Sequence, residues 1–296
     1  MTVSRRARYL LEYTLMRVAF ALFRTLPLDS ASALGGWIGR RLGPRLKITN
    51  RARENLSRAL PELTATERAK LIDGMWDHLG RVFAEYPHLG DFQLYDGNDR
   101  VEVVGVENVD QLRDDGIGGV FVAGHIGNWE IAPLSVTQRG LTLVNIYRAP
   151  NNPWIDRLIK QCREPIGGRH YPKSGHGARN MLAAVKAGEH LGLLVDQKYN
   201  EGIPVPFFGR DAMTAPSPAE FALRFRIPVV MARVERLKGA RFRLTLYPPL
   251  DLPETGDRDA DVRAIMVQIN NTFEEWIRAR PEQWLWLHRR WPKDEP

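Results

Sequence analysis

The hydrophobic pattern changes near residue 100. Upstream, apolar residues recur at helical spacing, in stretches at 9–27, 28–42 and 64–83. From Val101 onward, short apolar runs of strand length alternate with helical stretches. Strands are predicted at 101–104, 120–123, 141–147, 191–195, 228–234 and 242–247, and helices at 129–138, 178–187, 218–226 and 261–280, with further helices filling the gaps. This order predicts an α/β fold: a central mostly parallel or mixed sheet flanked by helices, preceded by an N-terminal membrane-associated helical segment. No repeat, low-complexity tract or linker divides residues 100–296. The expected organisation is therefore residues 1–60 as an apolar helix with a basic membrane-proximal segment, and residues 61–296 as one α/β domain with a helical lead-in.

The first apolar stretch, YLLEYTLMRVAFALFRTLP, is interrupted by Glu12, Arg17 and Arg24. A span needs about 20 predominantly apolar residues, and a central Arg costs about 2.5 to 3.5 kcal/mol on insertion. Arg17 and Arg24 are seven apart and share a helical face, so a helix lying in the membrane interface is at least as good a reading as a span. No small-residue cleavage site follows, so the helix is expected to be retained. Small residues then lead into the basic run Arg40, Arg41, Arg45, Lys47, Arg51 and Arg53, a pattern that favours anionic membrane lipid. Nucleic acid is the weaker candidate partner and is not expected, because no nucleic-acid module accompanies the charges. Thr64 and Glu67 form a capping box that opens a helix running to about Phe83.

Composition narrows the picture further. With 296 residues, 44% hydrophobic and 26% charged, the chain is globular and large enough for a substantial core. The net charge of +7 is concentrated at one end: residues 1–60 carry 12 Lys/Arg against 3 Asp/Glu, and the remainder is slightly acidic. One cysteine, Cys162, excludes a disulfide framework and fits a reducing compartment.

The candidate chemistry lies in GVFVAGHIGNWE, residues 119–130. Here a buried-strand pattern ends in glycines flanking His125, which places this residue at the C-terminal edge of a strand, where open α/β sheets put their ligands. A histidine near neutrality can take a proton from a hydroxyl, and a carboxylate beside it fixes the ring tautomer. Glu130, five residues on, is the candidate carboxylate; of the seven histidines only His125 has an acid at that offset. The pair meets only if His125 sits on the turn before the helix. No Gly-x-Ser-x-Gly elbow and no His-Glu-x-x-His occurs, so neither a protein nucleophile nor a metal is expected, and no cofactor is implied.

His125-Ile-Gly-Asn-Trp-Glu130 resembles the His-x4-Asp/Glu motif of the lysophospholipid acyltransferase superfamily, and in particular its lipid A lauroyl/myristoyl acyltransferase branch. IYRAPNNPWID at 146–156, LVDQKYNEGIPVPFFG at 194–209 and PEQWLWLHRRW at 281–291 resemble further blocks of that branch, in the same order. The resemblance implies transfer of a fatty acyl chain from an acyl carrier protein thioester to a hydroxyl of a lipid A precursor, with His125 as general base, Glu130 as its partner and direct attack by the acceptor. It also implies that Gly127, Asn128 and Trp129 form the pocket floor, that Arg148 meets an acceptor anion, and that Asp196 and Gln197 line the same crevice. His288, Arg289 and Arg290 are read as structural or membrane-facing. Lys198 departs from the acid that relatives often carry there. The implied location is the cytoplasmic face of a bacterial inner membrane. Alternatives are acyl coenzyme A as donor, another glycolipid or a lysophospholipid as acceptor, and a noncatalytic basic membrane or nucleic-acid binding protein.

Overall fold

A computed structural model describes residues 3–97, 100–173 and 175–291. After residue 100 the chain lays down strands β1 (Val101–Val104), β2 (Val120–Ala123), β3 (Leu143–Tyr147), β4 (Arg169–Pro172) and β5 (His190–Leu194). A hairpin of β6 (Ile203–Phe207) and β7 (Arg210–Thr214) follows, then β8 (Val229–Lys238) and β9 (Arg241–Leu246). Seven of these form one sheet in the order β1-β9-β8-β2-β5-β3-β4, and the hairpin stands apart. Every neighbouring pair in the large sheet is parallel except β8 with β9. The mixed α/β architecture is the one the alternating pattern predicts. The central strand, β2, is buried at all four positions, as a parallel strand covered on both faces must be.

Among the described residues ten α-helices accompany the strands: α1 (Val3–Thr25), α2 (Leu28–Leu42), α3 (Thr49–Ala59), α4 (Ala65–Glu85), α5 (Glu107–Asp114), α6 (Leu134–Thr137), α7 (Pro153–Arg163), α8 (Gly175–Lys186), α9 (Ser217–Phe225) and α10 (Arg258–Ala279). One apolar core joins Val120, Val122, Leu191 and Leu193 to α9, α10 and the C-terminal tryptophans. A second joins Phe121, Ala123, Leu143 and Ala232 to the segments around Leu89, Ile131 and Leu134. Alternation along β2 and β8 thus feeds both cores from the same strands, with Val229 and Met231 in the first and Val230 and Ala232 in the second.

Three features differ from the pattern reading. The expected helix at 129–138 is a 3-10 turn, Trp129–Ile131, followed by the four-residue α6. Pro133 has no N–H to continue the ladder, and Ala132 N–H already closes on Trp129 O. Strand β4 is an edge strand of sequence RHYP with no apolar run to announce it. The β6–β7 hairpin carries Pro204 and Pro206, which depress a strand reading and are tolerated in a two-stranded ribbon.

At the N-terminus the capping box is present as read, with Thr64 and Glu67 each bonding the other's backbone N–H. Helix α2 approaches α4 backbone to backbone, and an added Cβ at Gly39 or Gly80 would collide with the carbonyl of Trp76 or Gly35. Helix α1 buries Tyr9, Phe20 and Phe23 and leaves Leu10, Leu11, Leu15, Val18 and Leu22 more than half exposed. Asn152, the N-cap of α7, donates its amide to Tyr9 O and Glu12 Oε2, tying α7 to α1. Among the described residues no helix is long and apolar enough to cross a membrane.

Candidate active site

Parallel pairing sets the geometry of the site. Ala123 of β2 is paired with Leu194 of β5, and His125 and Asp196 each lie two residues beyond that pair. The two side chains therefore leave the sheet edge side by side. His125 Nδ1 lies 2.8 Å from Asp196 Oδ1, and the His125 backbone N–H donates to Oδ2 at 2.8 Å. Trp284 Nε1 donates to Oδ2 at 2.7 Å. Gly124 makes the approach possible, since a Cβ there would sit 3.3 Å from Asp196 Cγ and 3.2 Å from the Phe273 ring.

Asp196 is 1% exposed. Burial alone would raise its carboxyl, but the charge of His125, with hydrogen bonds from His125 and Trp284, holds it down at about 2. An ionised carboxylate only accepts, so the Nδ1 that faces it carries a proton. Gln197 Nε2 stands 3.1 Å from both imidazole nitrogens. The carboxylate on His125 is thus Asp196 and not Glu130.

Glu130 is committed elsewhere. Arg163 of α7 grips it with Nε at 2.7 Å and a terminal nitrogen at 2.5 Å; Tyr86 OH donates to it at 2.5 Å and Trp129 Nε1 at 3.0 Å. Burial would raise the Glu130 carboxyl, but the Arg163 charge together with hydrogen bonds from Arg163 and Tyr86 lowers it. The Tyr86 hydroxyl is pushed well up by burial and by Glu130. The expectation of a Glu130 to His125 hydrogen bond fails because the turn of 3-10 helix after Asn128 sends Glu130 toward α7.

Gly127 and Asn128 lie behind His125 and do not form the floor of the pocket. Gly127 has φ +58, and a Cβ there would collide with Val234 O, so only glycine fits this approach to β8. Its carbonyl meets His78 Nε2 at 3.0 Å and its N–H donates to Gln283 O at 3.1 Å. Asn128 is fully buried and donates to Glu85, whose carboxylate is also held by Arg236 at 2.5 and 2.9 Å. Burial and the Arg236 charge push the His78 imidazole down to about 3, so it stays neutral. Trp129 does line a pocket, with its ring 5.1 Å from that of His125.

That pocket is mostly apolar and runs between the sheet and α6, past Phe121, Ala123, Pro133, Val136 and Leu143 to Arg163. Arg148 is exposed just beyond β3. His288, read as structural or membrane-facing, has its ring 6.1 Å from that of His125. Burial and the charge of His125 lower its pKa to about 4, and the charges of Arg51 and Arg148 also reach it. Arg290 is fully buried, bonded to Met213 O and Thr214 Oγ1. The residues that pattern reading did not place beside His125 are Trp284, Arg163 and His288. Asp196 was placed in the crevice, and the signal for its pairing was the matching end of a neighbouring parallel strand. Burial pushes the Cys162 thiol up to about 11, which leaves no thiolate there. Among the described residues no group of metal-binding side chains is assembled.

A histidine and a carboxylate thus meet at paired strand ends, beside an apolar pocket in an α/β sheet. The chain belongs to the bacterial lipid A biosynthesis acyltransferase family, whose model matches residues 1–293. It is similar to a lipid A biosynthesis acyltransferase of Haemophilus influenzae, with 24% identity over 93% of this chain and 84% of the relative. It is similar also to the lipid A biosynthesis myristoyltransferase of Escherichia coli, 26% identical over 86% of this chain and 77% of that one. A phosphatidylinositol mannoside acyltransferase of Mycobacterium tuberculosis is 24% identical over 88% of this chain and 87% of its own length.

Two outcomes follow from these buried charges. Glu130→Ala leaves the Arg163 guanidinium without its carboxylate and should destabilise the fold by about 3 to 5 kcal/mol, read by urea unfolding; an unchanged midpoint would mean that Arg163 finds water or another acceptor. His78 is neutral when folded and titrates near its ordinary value when unfolded, so its contribution is complete above about pH 6.5 and declines as pH falls toward about 3. His78→Gln should flatten the loss of stability between pH 7 and 4. Equal pH slopes in the two proteins would remove His78 from the acid response.

Proposed function

We propose that the protein transfers a fatty acyl chain from an acyl carrier protein thioester to a hydroxyl of a lipid A-type precursor, with His125 as general base. The observation that carries this reading is the hydrogen-bonded His125 to Asp196 pair beside an apolar pocket. Asp196 fixes the tautomer and stabilises the imidazolium, so it takes the part that the resemblance gave to Glu130. The acceptor hydroxyl gives its proton to His125 Nε2 as its oxygen attacks the thioester carbonyl. The tetrahedral intermediate collapses, the C–S bond breaks, and the departing sulfur takes the proton back from the imidazolium. Atoms balance with no protein nucleophile. Glu130 acts at one remove: with Arg163 it fixes the wall of the pocket that receives the acyl chain.

Arg148, whose charge and that of Arg51 both reach His288 beside His125, suits a phosphate or another anion on the acceptor. The acceptor named for the mycobacterial relative keeps a second glycolipid reading open, and Lys198 at the end of the Asp-Gln block favours an acceptor that differs in detail from that of the lipid A enzymes. The exposed leucine stripe of α1 and the basic run that follows α2 support placement on the cytoplasmic face of an anionic membrane, the helix lying in the interface.

His125→Ala should lose about 10²- to 10⁴-fold in acyl transfer while remaining folded. Asp196→Asn should fall by a similar factor, because the amide no longer dictates the tautomer, and Cys162→Ala should stay active. Donor mixed with enzyme alone should give no acylated protein by intact-mass spectrometry. A stoichiometric adduct discharged by acceptor would replace direct attack with a covalent mechanism.

For membrane placement, changing Leu11, Leu15 and Leu22 together to Ser should reduce flotation with vesicles containing anionic lipid by roughly tenfold or more. Melting should not change, since these side chains are already in solvent. Flotation equal to that of the unaltered protein would show that this face does not meet lipid.

A further inference from the structure

The apolar pocket beside His125 contains one polar group that the site above does not use. Asn145 of β3 pairs with Gly192 of β5, and Gly192 pairs in turn with Phe121 of β2. The Asn145 side chain lies over Gly192, where an added Cβ would collide with its Oδ1. Its Nδ2 is buried and has no hydrogen-bond partner among the described residues. Other polar side chains on the pocket walls are engaged: Glu130 with Arg163, Ser135 Oγ with Ala132 O, Tyr147 OH with Asp156, and His170 Nε2 with Gly167 O. A buried donor left without an acceptor is costly, and native proteins keep few of them.

We propose that Asn145 makes the pocket selective for acyl chains that carry an oxygen within the chain, as a hydroxyl or keto group, over plain hydrocarbon chains of the same length. The inference rests on the acyl-transfer reading and specifies its donor. Position along the chain follows from the sheet. Asn145 is level with Phe121, two strands away from β2 and four residues back from His125. Strand rise and spacing put it roughly 15 Å from His125 between Cα atoms. The recognised oxygen therefore sits well down the chain, away from the thioester. Phe121, Leu143 and Val136 on the surrounding wall carry no polar side-chain atom, the donors of Ser135, Arg163 and His170 are already engaged, and a chain without the oxygen leaves the amide unpaired.

The test uses the full-length protein and acyl carrier protein thioesters of one chain length, saturated or with a single hydroxyl moved along the chain. Wild type should show about a tenfold higher kcat/KM at one hydroxyl position. Asn145→Leu, close in size but without a donor, should lose that preference and retain transfer of the saturated chain. Equal use of all donors by wild type, or an unchanged preference in Asn145→Leu, would overturn the proposal. If Asn145→Leu fails to melt cooperatively, the positional series in wild type decides alone. Absence of transfer from every donor would instead defeat the acyl-transfer reading on which the proposal rests, whereas indifferent transfer defeats only the role given to Asn145.

Discussion

The buried charge of Asp196 is the constraint on which the rest of the site depends. A carboxylate taken out of water must be met by donors in fixed positions, and its donors come from two distant stretches: His125, through N–H and Nδ1, and Trp284. The C-terminal stretch is therefore part of the site. Ile126 bridges to Trp284, Leu285 N–H donates to His125 O, and Arg290 anchors the same stretch to β7. Trp284 thus helps to hold the carboxylate that orients His125. The aromatic density there, with Trp284 and Trp286 4.6 Å apart and Trp284 edge-on to Phe207, supplies the dry surroundings that the carboxylate requires.

Two buried ion pairs flank the loop that carries His125. Glu85 with Arg236 holds Asn128, and Arg163 holds Glu130. Pairs of this kind add little net stability compared with apolar residues, because desolvation offsets the attraction, but breaking one is costly. Their effect here is positional. The loop from 125 to 130 is held at Asn128 and Glu130 by these pairs, and the residues it leaves partly open are His125 and Trp129. The motif therefore divides its labour: His125 reacts in the proposed mechanism, Asn128 and Glu130 are held, and Gly127 permits the close approach to β8.

Much of this was legible because a parallel sheet writes itself as apolar runs. β1, β2, β5, β8 and β9 follow from branched and apolar residues, and His125 follows from the glycines around it. The carboxylate partner was not legible from spacing within the motif, because sequence distance of five says nothing about which of two nearby acids the turn will face. It was recoverable only from strand adjacency, since Asp196 stands as far beyond β5 as His125 does beyond β2. The edge strand β4 and the proline-bearing hairpin escaped because neither needs a continuous apolar face. For α1, Arg17 and Arg24 argued against an uninterrupted span. Its attachment to the core by Tyr9, Phe20 and Phe23 depends on long-range packing that periodicity cannot supply.

Helix α7 joins these parts. At its start Asn152 clasps the backbone and Glu12 of α1, in its first turn Asp156 accepts from Tyr147 at the end of β3, and at its last residue Arg163 holds Glu130. One helix thus connects the exposed leucine stripe to the wall of the apolar pocket through hydrogen bonds and a buried ion pair. On the proposed reading, a lipid surface that fixes α1 also fixes the height of the pocket above it. An amphiphilic acceptor can then stay in the bilayer by its chains while its hydroxyl reaches His125, and the energy of extracting it from the membrane does not enter the reaction.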